Sequence, residues 1–147
     1  MAGITDRPFR TLCYEMGAGL TVSEMMSSNP QVWESDKSRL RMVHIDEPGI
    51  RTVQIAGSDP KEMADAARIN VESGAQIIDI NMGCPAPKIT KNCEGSALLK
   101  DLDKAVEIAA ACVKATNKPI TVKMRSGFYK NQKTATELAM RLEKVGV

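Results

Sequence analysis

The sequence has a single histidine, His44, among 147 residues, and its four cysteines, Cys13, Cys84, Cys93 and Cys112, form no CxxC pair. Zinc-ligand spacing and a disulfide framework are thereby excluded, so no metal site is expected and the thiols read as reduced. No run of about 18 apolar residues occurs, and the N-terminus lacks the charged and apolar regions of a secretory signal. Nothing marks membrane insertion or export, and a cytoplasmic location is the expectation. A net charge of +2 is too small to announce a nucleic-acid surface by itself. GxGxxG and GxxxxGKS/T are missing, which removes the usual dinucleotide and triphosphate loops. No low-complexity tract or charge block divides the chain, and 43% hydrophobic with 26% charged residues is the balance of one globular unit.

What the chain has is an alternation. The stretches 51–56 (RTVQIA), 77–82 (IIDINM) and 120–125 (ITVKMR) are short, rich in β-branched residues and bounded by Gly or Pro, as strands are. Between them run segments of helical period. Asp59 is the expected N-cap of one, with Pro60 in its first turn; Met63, Ala66, Ala67 and Val71 share its face, and Gly74 ends it. Leu102, Ala105, Val106, Ala109 and Val113 form a second stripe, and Ala135, Leu138, Ala139 and Leu142 a third. Phe9, Leu12, Cys13 and Met16 predict an earlier amphipathic helix before a strand at 20–25, and a further helix is expected around 32–42.

Strand and helix in this order give βαβ units and a parallel sheet, either doubly wound or a (β/α)8 barrel. Strand parity separates the two. Val53 and Ile55 oppose Thr52, Gln54 and Ala56; Ile78 and Ile80 oppose Asp79 and Asn81; Ile120, Val122 and Met124 oppose Thr121, Lys123 and Arg125. A sheet covered by helices on both faces is apolar on both, whereas a barrel interior lined for a ligand carries polar groups on one parity. The strand at 20–25 does not resolve, since Glu24 shares its face with Leu20 and Val22. Asn81, Cys84, Lys123 and Arg125 gather toward the C-terminal strand ends, where barrel enzymes place their chemistry. In 79–85 (DINMGCP) the thiol of Cys84 stands between a glycine and a proline just past a strand. A turn there presents it rather than burying it as a small hydrophobe.

The blocks 1–10 (MAGITDRPFR), 53–60 (VQIAGSDP), 79–88 (DINMGCPAPK), 95–99 (GSALL) and 122–127 (VKMRSG) together resemble the tRNA-dihydrouridine synthases, most closely the bacterial B-type members. The resemblance implies a (β/α)8 TIM barrel, FMN as cofactor, NADPH as reductant, and reduction of the C5=C6 bond of particular uridines in tRNA. It also implies site roles. Met1 and Ala2 stand where the end of the first strand touches the flavin, although the preceding proline of the family is absent. Gln54 matches a flavin-ring contact, and Lys123 a lysine whose charge stabilises the reduced flavin. Cys84 matches the general acid that protonates C5 while hydride reaches C6. A free cysteine titrates near 8.5 and so still holds its proton at neutral pH. Asn81 matches an asparagine at the flavin and uracil site, Arg125 falls close to it, and Lys88 and Lys91 lie just past the Cys-Pro turn where RNA phosphates could be met.

Alternatives stay open on the residues. Lys123 and Arg125 could instead form ion pairs with Asp79 or Glu24. Cys13 and Cys112 read as helix-face packing, and Cys93, His44, Trp33 and Glu24 carry no assigned role. Another FMN barrel acting on free pyrimidines, in the manner of dihydroorotate or dihydropyrimidine dehydrogenases, would share fold and cofactor. About five βα units are counted, the first without most of its strand, against about 250 residues for a full barrel. The chain thus reads as a partial catalytic domain over 1–147, expected to lack the later barrel strands and a helical RNA-binding domain. Alone it is expected to bind FMN poorly and to be inactive, or to serve only as an RNA-binding fragment; at full length a monomer is expected.

Overall fold

The computed structural model describes residues 2–33 and 46–147. Four parallel strands, β1 (Thr21–Ser27), β2 (Arg51–Ala56), β3 (Ile77–Met82) and β4 (Ile120–Met124), form one sheet in the order β1-β2-β3-β4. Helices α1 (Arg7–Glu15), α2 (Pro60–Glu72), α3 (Pro87–Thr90), α4 (Leu102–Ala115) and α5 (Ala135–Glu143) alternate with them, and a 3-10 helix spans Gly95–Lys100. Strand order that follows chain order, with helices between β2 and β3 and between β3 and β4, is an arc of a (β/α)8 barrel, so the chain is a partial barrel.

The local signals act as expected for α2, and α4 begins on an aspartate cap as well. The Asp59 side chain accepts hydrogen bonds from the Lys61 and Glu62 N–H groups, and Asp101 accepts from Lys104, so two free donors are capped at the start of α2 and one at the start of α4. At the other end of α2, Gly74 takes φ +106°, a conformation open to glycine at no steric cost. Val53, Ile55, Ile78 and Ile80 are fully buried on the outer face of the sheet against Met63, Ala66 and Ala67 of α2 and Ala105, Ile108 and Ala109 of α4. The small residues let the two helices lie close on the strands. Among the described residues, no helix is long and apolar enough to cross a membrane.

Two expectations are corrected. The stripe of Phe9, Leu12, Cys13 and Met16 does not face the core: Phe9, Leu12 and Met16 are 44%, 51% and 80% exposed, while the buried residue of α1 is Arg10. Its guanidinium is held by the Glu47 carboxylate and donates to the Thr5 carbonyl at 2.7 Å. A desolvated ion pair, not apolar burial, therefore sets how α1 is turned. The strand expected at 20–25 runs over Thr21–Ser27, and its register against β2 shifts between Val22 and Met25. That bulge buries Ser23 and Glu24 as neighbours and breaks the alternation that sequence parity relies on. The helix expected around 32–42 falls mostly outside the described residues; within them, a 3-10 turn covers Pro30–Val32.

Candidate functional site

The opposite, polar face of the sheet is organised by register. Gln54 pairs with Asp79 and Asp79 with Thr121 across β2, β3 and β4; one step up, Asn81 pairs with Lys123. Period-two alternation turns all these side chains to one side. Adjacent side chains then bond across the strands: Gln54 Nε2 donates to Asp79 Oδ2 at 2.6 Å, and Thr121 Oγ1 to Asp79 Oδ1 at 2.7 Å. Asn81 Nδ2 donates to Gln54 Oε1 at 2.8 Å.

The row ends at the Cys84 turn. Asn81 Oδ1 accepts from the Gly83 and Cys84 N–H groups at 3.1 and 2.9 Å, so a side chain on the strand caps the turn that follows it. Arg125 Nε donates to the Gly83 carbonyl at 2.6 Å, and the Ser96 N–H to the Cys84 carbonyl at 3.0 Å. Gly95 sits at φ +61°, and a Cβ there would lie 2.7 Å from the Cys84 carbonyl oxygen. The loop bearing the thiol is thus gripped by β3, by Arg125 beyond β4 and by the 3-10 helix.

These groups border a cleft of about 690 Å³, the size of a small-molecule or cofactor site. Ala2, Gln54, Asn81, Cys84, Lys123 and Arg125 all line it. Of the sequence-derived candidates, Lys88 and Lys91 do not line the cleft; both are exposed, on and just after α3. Met1 lies outside the described residues, as does His44. Phe9 and Cys13 of α1 complete one wall, so Cys13, read from the sequence as packing, borders the cleft. Lys123 and Arg125 bring positive charge, that of Arg10 is met by Glu47, and among the described residues no carboxylate lines the cleft.

Asp79 lies behind that wall, 6% exposed, and burial raises its carboxyl above the ordinary range. The hydrogen bonds from Gln54 and Thr121, and the Lys123 charge, work the other way. The ion pair considered for Lys123 does not form: among the described residues its ammonium has no carboxylate within salt-bridge range, and Asp79 spends its oxygens on Gln54 and Thr121. Glu24 accepts from the Gly3 N–H, which ties the segment carrying Ala2 to β1. Cys112, in contrast to Cys84, is fully buried and its thiol is pushed up to about 12 by desolvation, which leaves it inert at neutral pH.

Sequence reasoning did not single out Asp79 or Thr121 as parts of the site, nor Ser23, whose hydroxyl accepts from the Gln54 N–H at 3.0 Å. Parity placed Asp79 and Thr121 on the right face, but only register shows which of them touch.

A family profile described as "Dihydrouridine synthase (Dus)" matches residues 1–147. The chain is 71% identical over 147 residues to tRNA-dihydrouridine synthase B of Escherichia coli (strain K12), which covers all of this chain and 46% of that protein. It is 70% identical to the protein of that name from Salmonella typhimurium and 63% identical to that from Proteus vulgaris, with the same coverage. The chain therefore spans about half the length of the curated relatives it matches.

Proposed function

The chain belongs to the dihydrouridine synthase family, and on that premise we propose that its cleft is the catalytic part of an FMN-dependent enzyme that reduces uridine in tRNA to 5,6-dihydrouridine. One observation carries the reading: Gln54, Asn81, Cys84 and Lys123 meet in a single cofactor-sized cleft at the C-terminal ends of parallel strands. The residues present suit a flavin. Apolar side chains offer a surface for a planar ring, amide N–H groups and the Lys123 ammonium offer donors to its carbonyl and nitrogen acceptors, and the net positive lining suits its phosphate and the RNA.

When bound, FMN supplies hydride chemistry, with NADPH as the source of electrons. Gln54, Lys123 and Ala2 would hold it, and Asn81 and Arg125 would orient the base beside it. Cys84 keeps the proton that C5 of the uracil takes as C6 gains hydride. Its S–H bond breaks, a C–H bond forms at C5, and the thiolate is reprotonated from solvent. The grip on the Cys84 turn keeps the sulfur from swinging away, which matters because a donor displaced by about an ångström loses orders of magnitude in rate. Lys88 and Lys91 stand outside the cleft, on and just after α3, where they would meet phosphates of a docked tRNA.

The test uses the full-length gene product with NADPH and unmodified tRNA. Dihydrouridine is expected in tRNA and no reduction of free uracil or orotate; the reverse substrate preference would assign the site to a free-pyrimidine reductase. Cys84→Ala should lower uridine reduction by about 10²–10⁴-fold while NADPH still bleaches the bound flavin at the parental rate. Parental dihydrouridine formation by that variant would remove Cys84 from the chemistry.

A further inference from the structure

The hydrogen bonds of the polar row have a direction. A backbone N–H can only donate, so the Asn81 atom that accepts from Gly83 and Cys84 is its carbonyl oxygen, and the amide nitrogen is left to donate to Gln54 Oε1. Gln54 must then turn its own nitrogen to Asp79, whose oxygens accept from it and from Thr121. Read from either end the assignment is the same. The Asn81 oxygen has both lone pairs engaged, the Gln54 oxygen is turned to Asn81 within the row, and each amide nitrogen keeps one unused hydrogen. Both amides line the cleft, as does the Lys123 ammonium, which has no hydrogen-bond partner among the described residues. Of the groups in this row, the two amide nitrogens and the ammonium therefore keep donors to spare at the cleft.

We propose that Asp79 is the positioning residue that sets this polarity: by accepting from Gln54 it keeps donors toward the cleft, which selects a ligand edge built of carbonyl and imine acceptors. The inference rests on the flavin reading and deepens it, since the edge concerned is that of the isoalloxazine ring. Asp79 itself does not border the cleft and touches no ligand. Through Asn81 the same row reaches the Cys84 turn, so cofactor recognition and thiol placement share one anchor.

Titration of FMN into the full-length apoprotein, followed by flavin fluorescence, tests this together with the melting temperature of each variant. Asp79→Ala releases the Gln54 amide and is expected to weaken FMN binding about tenfold. Asp79→Asn should restore affinity to within about threefold of the parent, because the new amide oxygen still accepts from Gln54 while its nitrogen donates to Thr121. The exchange Asp79→Asn with Gln54→Glu refills every bond of the row with only the bond between positions 54 and 79 reversed, and replaces the Gln54 donor at the cleft with a carboxylate. Its melting temperature should stay close to that of Asp79→Asn, and its FMN affinity should fall by at least about thirtyfold. Equal losses for Asp79→Ala and Asp79→Asn, or parental affinity in the exchanged pair, overturn the proposal. If the exchanged pair does not fold, the contrast of alanine with asparagine still decides it. A parent protein that binds no FMN would sink the flavin reading and this inference together, whereas a parent that binds it with variants that fail to discriminate sinks the inference alone.

Discussion

Asp79 is a buried acid whose surroundings pull in opposite directions: desolvation raises its carboxyl, and Gln54, Thr121 and the Lys123 charge lower it by less. A folded-state value above the unfolded one means that the native protein holds this proton more firmly than the unfolded chain does. The contribution is then most favourable below the unfolded value and is lost as pH rises through the raised folded value. Asp79→Asn abolishes that titration. The melting temperature of the variant relative to its parent should therefore increase from acid to neutral pH, measured by thermal unfolding on both sides of the carboxyl titration. A difference that stays constant with pH would show that Asp79 ionises as easily folded as unfolded. The same residue thus costs stability at neutral pH while holding Gln54 in place, a trade commonly found at sites where function sets the residue.

Between β3 and α4 the chain makes a single helical turn and a 3-10 helix, and these short elements close on the Cys84 carbonyl through Ser96 and Gly95. A methyl group at Gly95 would stand 2.7 Å from that oxygen and 3.2 Å from the Cys84 Cβ, at a φ of +61°. Gly95→Ala should cost about 1–2 kcal/mol from the backbone conformation alone and displace the turn as well. Lower melting temperature with slower uridine reduction, but little change in NADPH-driven flavin reduction, is the expected pattern; unaltered turnover would mean the turn absorbs the methyl group without moving Cys84. Elements of this kind were only partly legible in the sequence. β2, β3 and β4 announced themselves because each is regular, and in β2 and β3 Val53, Ile55, Ile78 and Ile80 are fully buried and mark the pleat without ambiguity. The bulge in β1 hid behind a broken alternation at Ser23 and Glu24, and α1 misled because Arg10 is buried by its pairing with Glu47, a contact between residues far apart in the chain. For the site, Asn81, Cys84, Gln54 and Lys123 came from motif and parity, while Asp79 needed knowledge of which strand stands beside which.

At the scale of the molecule, the sheet ends among the described residues at β4, and Thr121 and Lys123 on its inner side are exposed. Donors on that flank face water, which competes for the bonds a flavin would make. We propose that later barrel strands and a helical RNA-binding domain of the full-length protein cover this flank and present the tRNA. The 147-residue chain expressed alone should accordingly come off a column colourless, with flavin absorbance far below one equivalent; a yellow, stoichiometrically loaded preparation would show that the arc suffices. The strand order carries a last implication. Each strand lies against the one that precedes it in the chain, so no gap has to be held open for a later segment to thread into. As the nascent polypeptide leaves the ribosome, every completed unit finds its neighbour already in place, and the barrel can grow by addition at one edge during translation.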